Sequence, residues 1–151
     1  MMDLLCPILE LCVVLPGLLL AYFPVRSYLK QPPGKLAAWL LPLILSLCIC
    51  GGLLCWHFRV STAPALTLIA LTTVFLYVKT LRISLWKSGT IALSVCAVFA
   101  CVNSLSRALD AAILLHAGMM PAEPWFCLQA CVFYNAVCWL AAAAAYYPAA
   151  H

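Results

Sequence analysis

The residues best suited to bind a ligand form a polar stripe late in the chain. Asn103, Arg107 and Asp110 are spaced i, i+4, i+7, so on a helix they share one face, and Ser106 joins that face at its edge. Because polar side chains avoid lipid, we expect the stripe to face protein or a water-filled cavity. There it could receive a small molecule or a peptide.

Glu10 is the acid that could meet this stripe. Glu10 lies about six residues from the predicted outer end of the first span, which is a depth of roughly 9 Å at a rise of about 1.5 Å per residue. Asn103 lies at a depth of roughly 7 to 8 Å when the same rise is counted from Ala108, the predicted outer end of the fourth span. Since the depths match, we predict that Glu10, Asn103, Arg107 and Asp110 line an outward-facing ligand pocket. The alternative is structural: Arg107 pairs with Asp110 or Glu10 to hold two helices in register, and Asn103 makes an interhelical hydrogen bond.

Histidines and cysteines are the other candidates for chemistry. His57 and His116 could serve as axial haem ligands or pH sensors, although a wet position at a membrane interface is the simpler interpretation. Cys127 and Cys131 are four residues apart and could meet on one helical face, yet neither histidine nor carboxylate stands at ligand spacing. All ten cysteines lie in or beside apolar runs, where cysteine acts as a small hydrophobe. We therefore predict no metal and no cofactor.

The composition is that of an integral membrane protein. Hydrophobic residues make up 68% of the 151 residues and charged residues 8%, with a mean hydropathy of +1.13. A chain of 16.4 kDa with so few polar groups cannot cover a water-soluble globule. The net charge of +4 comes from basic residues in short loops between apolar runs, a pattern that reports membrane orientation and not nucleic-acid binding.

Hydropathy and helix-breaking residues divide the chain into five spans. We predict an all-α, polytopic helical bundle in a single domain covering residues 1–151, with a kink near Pro16 in the first span. The fourth helix is expected to continue beyond its span to His116 and to end at Gly118. The predicted spans are approximately 4–24, 36–56, 61–78, 88–108 and 125–147.

The distribution of basic residues predicts the orientation of these spans. Six of the eight basic residues lie at one side of the predicted membrane, whereas Arg59 and Arg107 lie at the other side. By the positive-inside rule the amino terminus is outside and the carboxyl terminus inside, in a multi-pass protein of the cell membrane. The six inner residues are Arg26, Lys30, Lys35, Lys79, Arg82 and Lys87.

Two stretches carry a resemblance to a known family: LRISLWKSGTIALSVCAVFACVNSLSRALDA, and PWFCLQACVFYNAVCWLAAAAAYYPAAH. They resemble the amino-terminal transmembrane sensor region of bacterial sensor histidine kinases with a GHKL-type ATPase domain, as found in Clostridia and related Firmicutes. The similarity covers most of residues 61–151. It implies a role in sensing and membrane anchoring within a two-component system, with the kinase module absent from this chain.

The resemblance also implies partners. A homodimer through the last span is expected, together with a signal from outside and output to a kinase module or response regulator. The sequence itself has no nucleophile–base pair, phosphate loop or metalloprotease motif that would mark an enzyme. Two other functions remain open: a small transport or accessory protein using the polar stripe as part of a path, and a membrane haem or redox protein. We predict no nucleic-acid partner.

Overall fold

The computed structural model describes residues 2–118 and 127–150, with side chains over residues 4–118 and 127–144. Throughout these residues the chain forms an all-α helical bundle without a strand, which confirms the predicted fold class. The predicted beginning of the last span at Trp125 lies outside the described residues. The helices are α1 (Met2–Leu11), α2 (Val14–Tyr22), a 3₁₀ segment (Phe23–Tyr28), α3 (Pro33–Phe58), α4 (Ala63–Thr80), α5 (Leu85–His116) and α6 (Leu128–Ala150).

The first span is broken into two helices slightly before the proline expected to bend it. Pro16 has no N–H to donate to the carbonyl of Cys12, four residues earlier. The N–H of Leu15 instead donates to that carbonyl at 3.0 Å, and the chain turns at residues 12–13. Pro16 therefore sits in the first turn of α2, where a missing donor is tolerated.

Four described segments are long and apolar enough to cross a membrane: Leu4–Tyr28, Pro33–Phe58, Ala63–Thr80 and Leu85–His116. Many of their large hydrophobic side chains point outward, including Leu68, Leu71, Phe75 and Leu93. An apolar surface of this kind requires an apolar solvent. α6 is apolar as well over residues 128–144.

The longest helix, α5, extends as its sequence pattern indicates. It begins at Leu85 and ends at His116, and Gly118 follows with a φ of 67°. A left-handed residue at this position commonly terminates a helix, and glycine adopts it without steric cost. The prediction that the fourth helix continues to His116 and ends at Gly118 is confirmed.

α1 packs most extensively against α3, and a glycine allows this contact. A Cβ atom placed on Gly52 would lie 2.5 Å from Cγ1 of Ile8 and 3.0 Å from the Cα and N atoms of the same residue. Only glycine leaves room for the α1 backbone at this crossing. Close approach through small residues is a general means of helix association in membranes.

Several cysteines belong to the core. Cys6, Cys131 and Cys138 pack between α1 and α6, and Cys48 packs between α1 and α3. The ten cysteines all lie within the described residues, and none of them forms a disulfide there. The interpretation of these four residues as small hydrophobes is therefore confirmed.

The two basic turns meet at one end of the bundle. Leu29 and Leu81 form an isolated antiparallel bridge. The N–H of Lys30 donates to the carbonyl of Thr80 at 3.0 Å, and the N–H of Arg82 donates to that of Tyr28 at 2.9 Å. These bonds fasten the segment before α3 to the segment before α5, so the basic residues of both turns lie at the same end. The side of the membrane that this end faces stays a prediction.

Candidate functional site

Glu10 and Arg107 form an ion pair between α1 and α5. Nη2 of Arg107 donates to Oε1 of Glu10 at 3.1 Å. The Glu10 side chain is 1% exposed, whereas that of Arg107 is 41% exposed. The Glu10 side chain is thus withdrawn from the surroundings, whereas the Arg107 side chain stays partly exposed. One of the two ion pairs that the structural alternative names is present.

The position of Glu10 explains why it needs a cation. α1 ends at Leu11, so the carboxylate lies in the last helical turn, where the helix dipole disfavours negative charge. Burial of an isolated carboxylate adds a large desolvation cost. Arg107 offsets both effects, and it can do so because α5 carries it to the level at which α1 ends.

Asp110 interacts with the start of the last helix. Its Oδ1 accepts a hydrogen bond of 2.9 Å from the backbone N–H of Cys127, the residue before α6. A carboxylate near a helix amino terminus satisfies an otherwise orphaned donor and interacts favourably with the helix dipole. Asp110 therefore holds the beginning of α6 against α5.

The environment of Asn103 differs from those of the Glu10–Arg107 pair and of Asp110. Its Oδ1 is buried and has no hydrogen-bond partner among the described residues. The residue lies at one end of an apolar groove of about 530 Å³ between α2, α4 and α5, with Tyr134 of α6 also in its lining. Ser106, at the edge of the stripe, is fully buried and donates to the carbonyl of Val102 in its own helix at 2.9 Å. The structure therefore brings Glu10 and Arg107 together, and gives Asn103 and Asp110 different surroundings.

Side chains of other helices donate to backbone carbonyls of the broken first span. Nδ2 of Asn135 donates to the carbonyl of Leu9 at 2.9 Å. Cys48 Sγ donates to the carbonyl of Leu11 at 3.4 Å, and Cys131 Sγ to that of Cys6 at 3.5 Å. Backbone groups freed inside a membrane helix must be satisfied by neighbours. The only sequence signal for these contacts is the helix break itself.

The two histidines within the described residues, His57 and His116, lie at helix ends. His57 is in the last turn of α3 with its ring 5.1 Å from that of Phe58, and His116 is the last residue of α5. Both are exposed. Among residues 2–118 and 127–150, no group of three or more His, Cys, Asp or Glu residues could hold a metal ion.

In comparisons with models of protein families, with curated proteins and with solved structures, nothing matches this chain. The resemblance to sensor histidine kinases stays a prediction. What the arrangement can do chemically follows from its own geometry. Arg107 has a partly exposed side chain that is held by a buried carboxylate, and Asn103 lines an apolar groove while its Oδ1 is buried.

Proposed function

We propose that this chain is a multi-pass protein of the cell membrane that forms the sensor region of a two-component receptor. The observation that carries the proposal is the continuity of α5. This helix runs without a break from Leu85, just after the basic turn, to His116, beyond the polar stripe. One rigid element thus joins the basic end of the bundle to the end that carries Arg107.

The length of α5 suits it to transmit a displacement. Its 32 residues span roughly 48 Å at a rise of about 1.5 Å per residue. The hydrocarbon core of a bilayer is only about 30 Å thick, so the helix is long enough to reach past both faces. Small shifts or rotations of a packed helix are a common way for receptors to carry a signal.

Arg107 is the contact through which an outside signal would act. Its open side can bind an anionic group of a small molecule or peptide, and such a group competes with Glu10 for the guanidinium. Weakening the Glu10 contact releases the side-chain bond that links α5 to α1. A ligand with different affinity for the two arrangements shifts the equilibrium between them.

The opposite end of α5 is placed to pass the shift on. The hydrogen bonds around the Leu29–Leu81 bridge fasten the turn before α5 to the turn before α3. A movement of α5 therefore displaces two loops together. In this proposal those loops face the cytoplasm, where a kinase module or response regulator would receive the output, and α6 forms the homodimer contact.

The test is made in the native host with chromosomal replacements. The signal is applied as fractions of spent medium, and phosphorylation of each response regulator is followed by electrophoretic separation of its phosphorylated form. We expect deletion of the gene and Arg107→Met to abolish the response of the same regulator. Arg107→Lys, which keeps a cation, retains part of it.

Immunoblots of membrane fractions show whether each variant accumulates normally. The double variant Glu10→Gln/Arg107→Met, which leaves no unpaired buried charge, separates lost signalling from lost stability. Unchanged phosphorylation of all regulators in the deletion strain would overturn the proposal.

A transport role would need a polar path along the bundle. In the groove between α2, α4 and α5, the lining residues that α5 contributes between Gly89 and Asn103 are apolar or cysteine.

A further inference from the structure

Three cations are held together where the two basic turns meet. Nζ of Lys30 donates to the carbonyl of Lys79 at 2.7 Å, and Nη2 of Arg82 donates to the carbonyl of Lys30 at 3.5 Å. The backbone hydrogen bonds around the Leu29–Leu81 bridge fix the two turns against each other. Lys30, Lys79 and Arg82 therefore form a basic cluster that the fold itself holds in place.

The basic cluster has no carboxylate to balance its charge. All three side chains are exposed, and none of them forms an ion pair within residues 4–118 and 127–144. Glu10 is held by Arg107, which lies roughly 33 Å along α5 from its first residue at a rise of about 1.5 Å per residue. Like charges at close range repel each other, so an anion that binds between them is stabilised. Lysine and arginine carry several N–H donors each, and most of those in the cluster stay available to such an anion.

An exposed face of α4 leads directly to this cluster. Leu68, Thr72, Phe75 and Lys79 follow one another at intervals of four, three and four residues, so they share one side of the helix. All four are exposed, and the Thr72 hydroxyl is engaged within its own helix, where it donates to the carbonyl of Leu68 at 2.8 Å. Nζ of Lys79 lies 5.6 Å from the centre of the Phe75 ring. The face is thus an apolar surface that ends in a cation.

The length of this face matches one leaflet of a bilayer. From Leu68 to Lys79 the rise is roughly 16 Å at about 1.5 Å per residue, and half of a hydrocarbon core is about 15 Å. Tyr28 and Trp86 flank the basic cluster in the sequence and are exposed. Exposed aromatic residues of this kind lie at the level of lipid head groups. A lipid beside α4 therefore has an acyl chain against Leu68 and Phe75 and its phosphate beside Lys79.

We propose that this site binds one anionic phospholipid. Its phosphate accepts hydrogen bonds from the basic cluster, and its acyl chain lies along the exposed face of α4. Three cations without a carboxylate favour a lipid with a net negative charge over a zwitterionic lipid, whose own ammonium group they repel. The apolar face favours a lipid over a soluble anion. The site is distinct from Arg107 and does not rest on the signalling proposal.

Two lysines provide a matched pair of variants. Lys79 contributes its carbonyl and not its ammonium group to the hydrogen bond with Lys30, so Lys79→Met leaves the two turns fastened. Lys35 is equally exposed and lies in the first turn of α3, outside the cluster and away from α4. Lys35→Met therefore removes the same charge from the same end of the bundle. A diffuse attraction to positive charge would weaken equally in both variants.

The experiment is native mass spectrometry of the full chain released from detergent micelles and titrated with three probes. Palmitoyl-oleoyl phosphatidylglycerol is anionic, phosphatidylcholine with the same chains is zwitterionic, and inorganic phosphate has no chain. We expect one bound phosphatidylglycerol with at least about fivefold higher affinity than phosphatidylcholine, since a single cation near an anionic lipid is worth roughly that factor. A large excess of inorganic phosphate should not displace the bound lipid.

The variants separate the cluster from the rest of the basic end. Lys79→Met should weaken phosphatidylglycerol roughly fivefold and leave phosphatidylcholine unchanged. Lys79→Arg, which keeps a cation, should retain the preference for phosphatidylglycerol, and Lys35→Met should bind both lipids as the wild-type chain does. Retained binding of phosphatidylcholine, together with helix content measured by circular dichroism, shows that each variant is folded.

Three outcomes would overturn the proposal. Equal affinity of the wild-type chain for the two lipids would remove the role of charge. Equal weakening of phosphatidylglycerol by Lys79→Met and Lys35→Met would mean that the whole basic end attracts anionic lipid without a defined site. Displacement of phosphatidylglycerol by inorganic phosphate would assign the basic cluster to a soluble anion and leave the face of α4 without a part in binding.

Discussion

Arg107 and Glu10 are 97 residues apart in the sequence and 3.1 Å apart in the structure. Their contact joins the end of α1 to the carboxyl-terminal part of α5, and of the two side chains only that of Arg107 is substantially exposed. The pair links two helices that otherwise have little contact with each other. It also leaves a cation accessible to a ligand.

Breaking the pair from the arginine side should destabilise the fold. Arg107→Met leaves Glu10 buried without this counter-ion, and we expect a loss of about 2 kcal/mol, between the values for exposed and fully buried pairs. The double variant Glu10→Gln/Arg107→Met should recover at least half of that loss. Unfolding by SDS in mixed micelles, followed by circular dichroism, measures both. Lys87→Met is the matched control, because it removes an exposed cation from the same helix. A decrease in stability of Lys87→Met as large as that of Arg107→Met would contradict the prediction.

Gly52 should not tolerate a methyl group. Gly52→Ala places Cβ against the backbone of Ile8, which cannot move without displacing α1, and we expect a loss of about 2 kcal/mol. At the adjacent Gly51 the nearest atom is the flexible Leu11 side chain at 3.2 Å, so Gly51→Ala should cost less. Gly34→Ala, with no atom nearby, should be neutral or slightly stabilising. The same SDS titration ranks the three variants, and equal stabilities of Gly52→Ala and Gly34→Ala would show that the helices do not cross so closely.

Asp110 should stabilise the beginning of α6. Asp110→Ala removes the acceptor for the Cys127 N–H, and we expect a loss of about 1 kcal/mol, comparable to removal of a helix cap. Asp110→Asn keeps an oxygen acceptor without the charge and should lose less. Ser104→Ala is the control on the same helix, since that hydroxyl donates only to the carbonyl of Ala100. Amide hydrogen exchange at residues 127–132 should accelerate in Asp110→Ala and remain unchanged in the control.

The basic end should face the cytoplasm. The fastened turns at Lys30 and Arg82 concentrate positive charge at one end of the bundle, and such charge is retained on the inner side. Alkaline phosphatase fused after Gln31 or Ile83 should be inactive, and fusion after Ser61 should be active. Green fluorescent protein at the same positions should give the opposite pattern. Phosphatase activity after Gln31 would reverse the orientation and would place the Arg107 end inside the cell.

The sequence predicts the helices better than it predicts which side chains meet between them. Long apolar runs and Pro or Gly breaks are local features, so the all-α bundle and the extension of α5 to His116 could be read from them. The break between α1 and α2 came slightly before Pro16, because a proline removes the hydrogen bond to a carbonyl four residues earlier. That displacement leaves the Leu9 carbonyl to Asn135, a consequence visible only once α6 is in place.

What the sequence by itself determined about the candidate site is that Asn103, Arg107 and Asp110 share one face of a long helix at the depth of Glu10. Tertiary structure alone decided that Arg107 meets Glu10, that Asp110 meets the Cys127 N–H, and that Asn103 ends an apolar groove. The physical reason is that helical periodicity sets the direction of a side chain around its own axis. Which neighbour stands in that direction depends on how apolar helices cross, and faces that meet lipid and faces that meet protein are equally apolar.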